Sequence, residues 1–154
     1  MPTNDPLVEQ LTGLLETRLL DPLEIVLDDP LPTLRERART QARHWADTLR
    51  GDDLAAARLT AARVIAALYP GDTAFDPPPA WWRTPLGGVV ARRLGHPGAT
   101  AVSYAVAGAM LGITRQGVHD LLVRGKLTRH PDGGVDVASV QARLTALDTA
   151  QETR

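Results

Sequence analysis

Three consecutive prolines, Pro77-Pro78-Pro79, constrain this 154-residue chain more than any other feature. Three fixed φ angles without backbone donors cannot lie inside a helix. The run therefore predicts two parts: an N-terminal helical segment with its proline linker over 1–79, and a second domain over 80–154. The parts differ in charge. Residues 1–79 carry 8 Arg/Lys against 13 Asp/Glu, whereas 80–137 carry 7 against 3 and 138–154 carry 2 against 2. A basic stretch behind an acidic one directs any polyanion to the second part, although uneven scatter of surface charge produces the same count.

Several function classes are excluded at this stage. The chain has no cysteine, which removes disulfides, thiolate zinc sites and cysteine nucleophiles together. His44, His96, His119 and His130 lack metal-ligand spacing, so no metal and no cofactor is expected. No P-loop, dinucleotide fingerprint, nucleophile elbow or supported carboxylate pair is present; no catalytic residue is assigned and the chain is read as a non-enzyme. Asp28-Asp29 and Asp52-Asp53 read as helix ends or caps. No apolar run approaches the roughly 18 residues that span a membrane. Met1-Pro2-Thr3-Asn4-Asp5 lacks the basic start and apolar core of a signal peptide. A cytoplasmic, nucleoid-associated protein is expected.

The first part reads as three helices. Leu7, Leu11, Leu14, Leu15 and Leu19 recur at helical spacing after Thr3 or Asn4 as cap, and Asp21-Pro22 is a break. Thr33, with Glu36 three residues on, has capping-box spacing for a second helix facing inward with Leu34, Ala38, Ala42, Trp45 and Leu49. Asp52 or Asp53 starts a third, with Leu54, Ala57, Ala61, Val64, Ile65 and Leu68 inward and Pro70-Gly71 at its end. Three short helices bury little surface alone, so they pack on the second part, pair with another copy, or both. Trp81 and Trp82 read as a core anchor rather than a binding patch. Thr84-Pro85 opens a connecting helix with Val89, Val90 and Leu94 on its apolar side.

The segment from Ser103 to Leu144 carries the functional reading. Ser103 caps a helix with Ala107, Met110 and Leu111 inward, Gly112 breaks it, and Ile113 lies in a very short connection. Thr114 caps a second helix with Val118, Leu121 and Leu122 inward, which Gly125 stops. Two short helices joined by about three residues with a glycine form a helix-turn-helix. Lys126–His130 predicts a strand, Pro131-Asp132-Gly133-Gly134 a turn, and Val135–Val137 a returning strand, after which Ser139 caps a last helix with Val140, Leu144 and Leu147 inward.

These residues resemble the helix-turn-helix family. Counted from Tyr104, seven pattern positions fall on Ala107, Gly108, Leu111, Gly112, Ile113, Val118 and Leu121. Leu111-Gly112-Ile113-Thr114-Arg115-Gln116 is similar to a run common in MerR- and excisionase-type winged domains. Gly117 departs from the pattern, and the domain lies last with no coiled-coil heptads after it. The resemblance implies a mainly α fold with a small β-hairpin wing, and sequence-specific binding of double-stranded DNA by a bacterial transcriptional regulator or a plasmid or phage accessory factor. The implied DNA contacts are Thr114, Arg115, Gln116, His119, Arg124, Lys126, Arg129 and His130, with Asp120, Val123 and Tyr104 nearby. One module covers little DNA, so a homodimer or cooperative self-association through the N-terminal helices is expected. The rival reading is a protein-interaction adaptor whose winged domain has lost DNA binding, with a basic partner for the acidic N-terminal helices.

Overall fold

The computed structural model describes residues 5–152. The fold is mainly helical with one small antiparallel sheet, and its chain divides into two compact units at Pro70–Gly71. The division precedes the proline run, so residues 71–79 belong with the second unit.

In the first unit, α1 (Pro6–Leu15) starts at Asp5, whose carboxylate accepts from the Leu7 amide at 3.0 Å. The expected caps Thr3 and Asn4 lie outside the described residues. Asp21-Pro22 does not break the chain. Glu16–Leu20 form a π turn that runs directly into α2 (Asp21–Leu27). Proline inside an α-helix lacks its donor and clashes with the carbonyl four residues back, and a widened turn before it relieves both. The turn also shifts the helical register by one residue. Leu7, Leu11 and Leu15 are buried at four-residue spacing, and the next buried leucine is Leu20, five on; Leu19 is turned outward.

The helix α3 (Pro32–Arg50) starts without the expected capping box. Pro32 holds its first position, and Leu31 donates to Glu24 at 2.8 Å. Arg35 reaches back to both Asp21 and Glu24, so an acidic pair from α2 stands where Thr33 was expected. Within α3, Ala42, Ala46 and Leu49 are buried, but Leu34 is exposed and Trp45 half-buried. Asp53 caps α4 (Leu54–Leu68) through the Ala56 amide at 3.1 Å. Ala57, Ala61, Val64, Ile65 and Leu68 face in as expected, whereas Leu54 faces out. Arg18 closes the far end: it donates to the Leu68 carbonyl at 3.0 Å and lies 4.4 Å from the centre of the Tyr69 ring.

The second unit is built around Trp82, which is 1% exposed in the short α5 (Pro79–Trp82). Thr84 caps α6 (Pro85–Arg93), accepting from Gly87 at 3.1 Å. The proline segment is no free connector. The Phe75 ring meets Trp81 edge-on at 5.2 Å, and a Cβ on Gly98 would collide with the Phe75 carbonyl. Beneath it lies His96, whose Nδ1 accepts from Gly98 at 3.0 Å. Burial lowers the His96 pKa, against a smaller opposing effect of Asp76.

The strand β1 (Ala101–Val102), unforeseen in the sequence, pairs antiparallel with β2 (Val135–Asp136) in the register Ala101–Asp136 and Val102–Val135. Arg129 bridges Val135 on the other side, and Asp136 donates to the Thr128 carbonyl at 2.9 Å. The expected strand over 126–130 does not form: Arg129 makes a single bridge, Val135–Asp136 pairs with β1 instead, and Lys126 belongs to the turn that ends the preceding helix. Val137 opens α9 (Val137–Glu152) instead of extending the strand. Ser139 is no cap: it accepts from the Thr128 amide at 3.1 Å and donates to the Asp136 carbonyl at 2.7 Å, tying the helix to the hairpin. Val140 and Leu144 are buried, and Leu147 is exposed.

Candidate nucleic-acid interface

Between β1 and β2 lie α7 (Tyr104–Leu111) and α8 (Arg115–Val123), packed on each other. Ser103 caps α7 through the Val106 amide at 3.1 Å. Gly112 ends it in the left-handed region at φ 74°, with Ile113 donating to the Gly108 carbonyl at 2.8 Å. This closes the last carbonyls of the helix and turns the chain within three residues. Gly108 admits that turn, because a Cβ there would stand 2.8 Å from the Ile113 carbonyl. Thr114 then caps α8, accepting from Gly117 at 3.0 Å. The far end closes in the same way as α7, with Gly125 at φ 71° and Lys126 donating to the Leu121 carbonyl at 2.8 Å. Gly117 is not enforced by packing, since a Cβ there would meet only Ile113 and Thr114 at 3.4–3.5 Å.

The burial of α8 is one-sided. Val118 is fully buried, and Leu121 and Leu122 are half-buried. Arg115, Gln116, His119, Asp120 and Val123 are exposed along the outer side, with exposed Thr114 before them and exposed Arg124 and Lys126 after. Gln116 donates to Asp120 at 3.1 Å, one turn away, which leaves its oxygen and second N–H free. Arg115 also lines a cleft of about 560 Å³ with Phe75, His96 and Ser103.

The hairpin contributes unequally. Arg129 is exposed and donates to the Tyr104 hydroxyl at 2.7 Å, tying the hairpin to the start of α7. His130 is engaged internally instead. Its Nδ1 accepts from the Asp132 amide at 3.1 Å, so Nε2 carries the proton and faces Thr100 at 3.3 Å. With its side chain only 17% exposed, His130 shapes the turn more than it offers a contact. Seven of the eight expected residues thus lie exposed on α8, its ends and the adjoining hairpin, and the eighth is turned inward. The sequence reading missed Arg83, which is exposed and donates to the Ile113 carbonyl at 3.3 Å, placing a further cation at the α7–α8 turn. Nothing in its own neighbourhood marks it; only the fold brings it there.

Among the described residues, no group of three or more His, Asp or Glu is placed to hold a metal, and no helix is long and apolar enough to cross a membrane. Comparison with known protein families, curated proteins and solved structures finds no match.

Proposed function

We propose that this chain binds double-stranded DNA through a winged helix-turn-helix, with α7 and α8 as the helix pair, the 128–136 hairpin as the wing, and α8 in the major groove. One observation carries the reading: α8 buries Val118 while presenting Arg115, Gln116 and His119 outward, flanked by exposed Arg124, Lys126 and Arg129. A groove-reading helix needs that arrangement, with base-reading side chains along its outer line and cations at the rim for phosphates.

Each side chain has a role in this reading. Arg115 offers two donors to a guanine edge, and Gln116 offers a donor and an acceptor to an adenine edge. Val123, 70% exposed, suits a thymine methyl. Thr114 and the free amides at the start of α8 suit a phosphate. Arg124, Lys126 and Arg129 hold the backbone and fix the register. Asp120 keeps Gln116 extended along the helix. The biological setting that fits is a bacterial transcriptional regulator or a plasmid or phage accessory factor, acting as a homodimer because one such module covers little DNA.

The test is binding of the full chain to fragments of the DNA flanking its own gene, across a salt series, beside Arg115→Ala. The expected result is selection of one fragment and a fall in log affinity with log salt of slope about −3 per protomer, from three rim cations at roughly −0.9 each. Arg115→Ala should cost about 1–3 kcal/mol on the selected fragment and relax selectivity. Absence of DNA retention even at low salt would overturn the reading and leave a protein-binding domain.

A further inference from the structure

The helix α2 buries none of its residues, yet it is firmly held. Asp21 and Glu24 on one side both bind Arg35 of α3, and Glu24 also accepts from the Leu31 amide. Its polar side therefore faces the unit, and its apolar residues face away. Leu23, Val26 and Leu27 share one outer face at helical spacing, with Leu19 one turn before and Ile25 beside it. Val26 is 79% exposed and Ile25 80%. This reverses the usual amphipathic order, in which the apolar side packs inward.

We infer that this face is where a second copy of the chain docks, α2 against α2 across a two-fold axis. The size fits. Leu19 and the exposed apolar side chains of α2 offer on the order of 500 Å², within the range of the largest apolar patch on an ordinary monomer. Pairing two such faces hides on the order of 1,000 Å², the size that a biological interface should reach. The charge pattern fits as well. Both acids within α2 lie on the side turned to Arg35, where the three groups together carry one net negative charge, and the outer face itself carries no charged side chain. Apolar, charge-depleted centres are the mark of like-with-like interfaces. A two-fold pair needs the same patch on both copies, and this face supplies it. The inference extends the DNA-binding reading, in which one copy covers too little DNA, by naming the surface that brings two together.

The test is sedimentation of the full chain without DNA, over roughly 1–100 µM, the range in which a modest interface is populated. It is run beside the double variant Ile25→Glu/Val26→Glu. Both positions are about four-fifths exposed, so the variant should keep the parent helical circular dichroism. The expected result is a dimer in the parent and a monomer in the variant, with the dissociation constant raised at least ~100-fold by burying two opposed acids. A parent that stays monomeric throughout, leaving the face to a different protein, overturns the inference. So does a folded double variant that still dimerises. Because DNA is absent, the two readings fail separately. A dimer lost in the variant while DNA is never retained overturns the function and keeps the interface. A monomer that still selects a fragment overturns only the interface.

Discussion

Both units bury alanines in their cores, but the second adds glycines at which backbone meets backbone. In α3 and α4 the buried small residues are Ala42, Ala46, Ala57 and Ala61, each wholly inaccessible. In the second unit the contact is backbone on backbone. A Cβ on Gly87 would collide with the Trp81 carbonyl, and one on Gly134 would stand 2.6 Å from the Val102 carbonyl. Packing of the first kind tolerates exchange among small side chains. Packing of the second kind admits no side chain at all, and it fixes the positions of the loops between short elements. The unit that must hold α8 and a hairpin in one arrangement is the one built this way.

Gly87→Ala should show the largest effect. Forcing a methyl group against the Trp81 carbonyl should cost the second unit about 3 kcal/mol, the upper range for overpacking a core. Hydrogen exchange checks it: amides of α5, α6 and α7 should lose protection while those of α1, α3 and α4 keep theirs. Equal loss in both units would break the comparison, because the two would then unfold as one.

Asp5→Ala probes the first unit through its polar clamp rather than its core. Asp5 caps α1 and bonds Arg50 at 2.6 and 2.7 Å, so its removal should cost about 1–2 kcal/mol, a strong cap with an added ion pair. The Arg50 guanidinium is the main reason the Asp5 carboxyl titrates at about 2 rather than 3.8. A carboxyl depressed on folding stabilises above its unfolded pKa and loses that contribution as pH falls through its folded value. Urea midpoints of the parent should therefore fall between about pH 4 and pH 2 more steeply than those of the variant. Equal slopes would show that the clamp contributes nothing.

Gly13→Ala should have the smallest effect, with the opposite sign. Gly13 lies inside α1, and a Cβ there meets nothing within 4 Å. Alanine should add about 0.5–1 kcal/mol through helix propensity alone, read as a higher melting temperature. A loss would mean that this glycine too is a contact glycine and would blur the distinction between the units.

The same distinction explains what could be read from the sequence. Where a local device settles the backbone, the residues announce it: Ser103, Gly112, Thr114 and Gly125 cap and stop α7 and α8 as their chemistry requires, and Asp53 and Thr84 do so elsewhere. Where a distant partner decides, local signals mislead. Thr33 and Glu36 had capping spacing, but Glu24 and Arg35 fix that end of α3 through tertiary bonds. Ser139 had the look of a cap, but the hairpin claims its hydroxyl. Two residues, Ala101 and Val102, are too short a run for periodicity, and they form a strand only because Val135 and Asp136 lie beside them. The outward line of α8 followed from its spacing, whereas the inward turn of His130 and the arrival of Arg83 depend on contacts about 30 residues apart.

The π turn at Glu16–Leu20 has a consequence for how this molecule diverges. A five-residue turn is a helix carrying one residue more than its register needs. Removing one codon there would restore ordinary winding and, because the widened turn has already absorbed the extra residue, leave the helix beyond it facing much as before. Leu20 would then follow Leu15 at the same four-residue spacing as Leu7, Leu11 and Leu15 and would stay inside. A single residue can thus be gained or lost at this turn in one step while the core and the outward surface of the helix are kept.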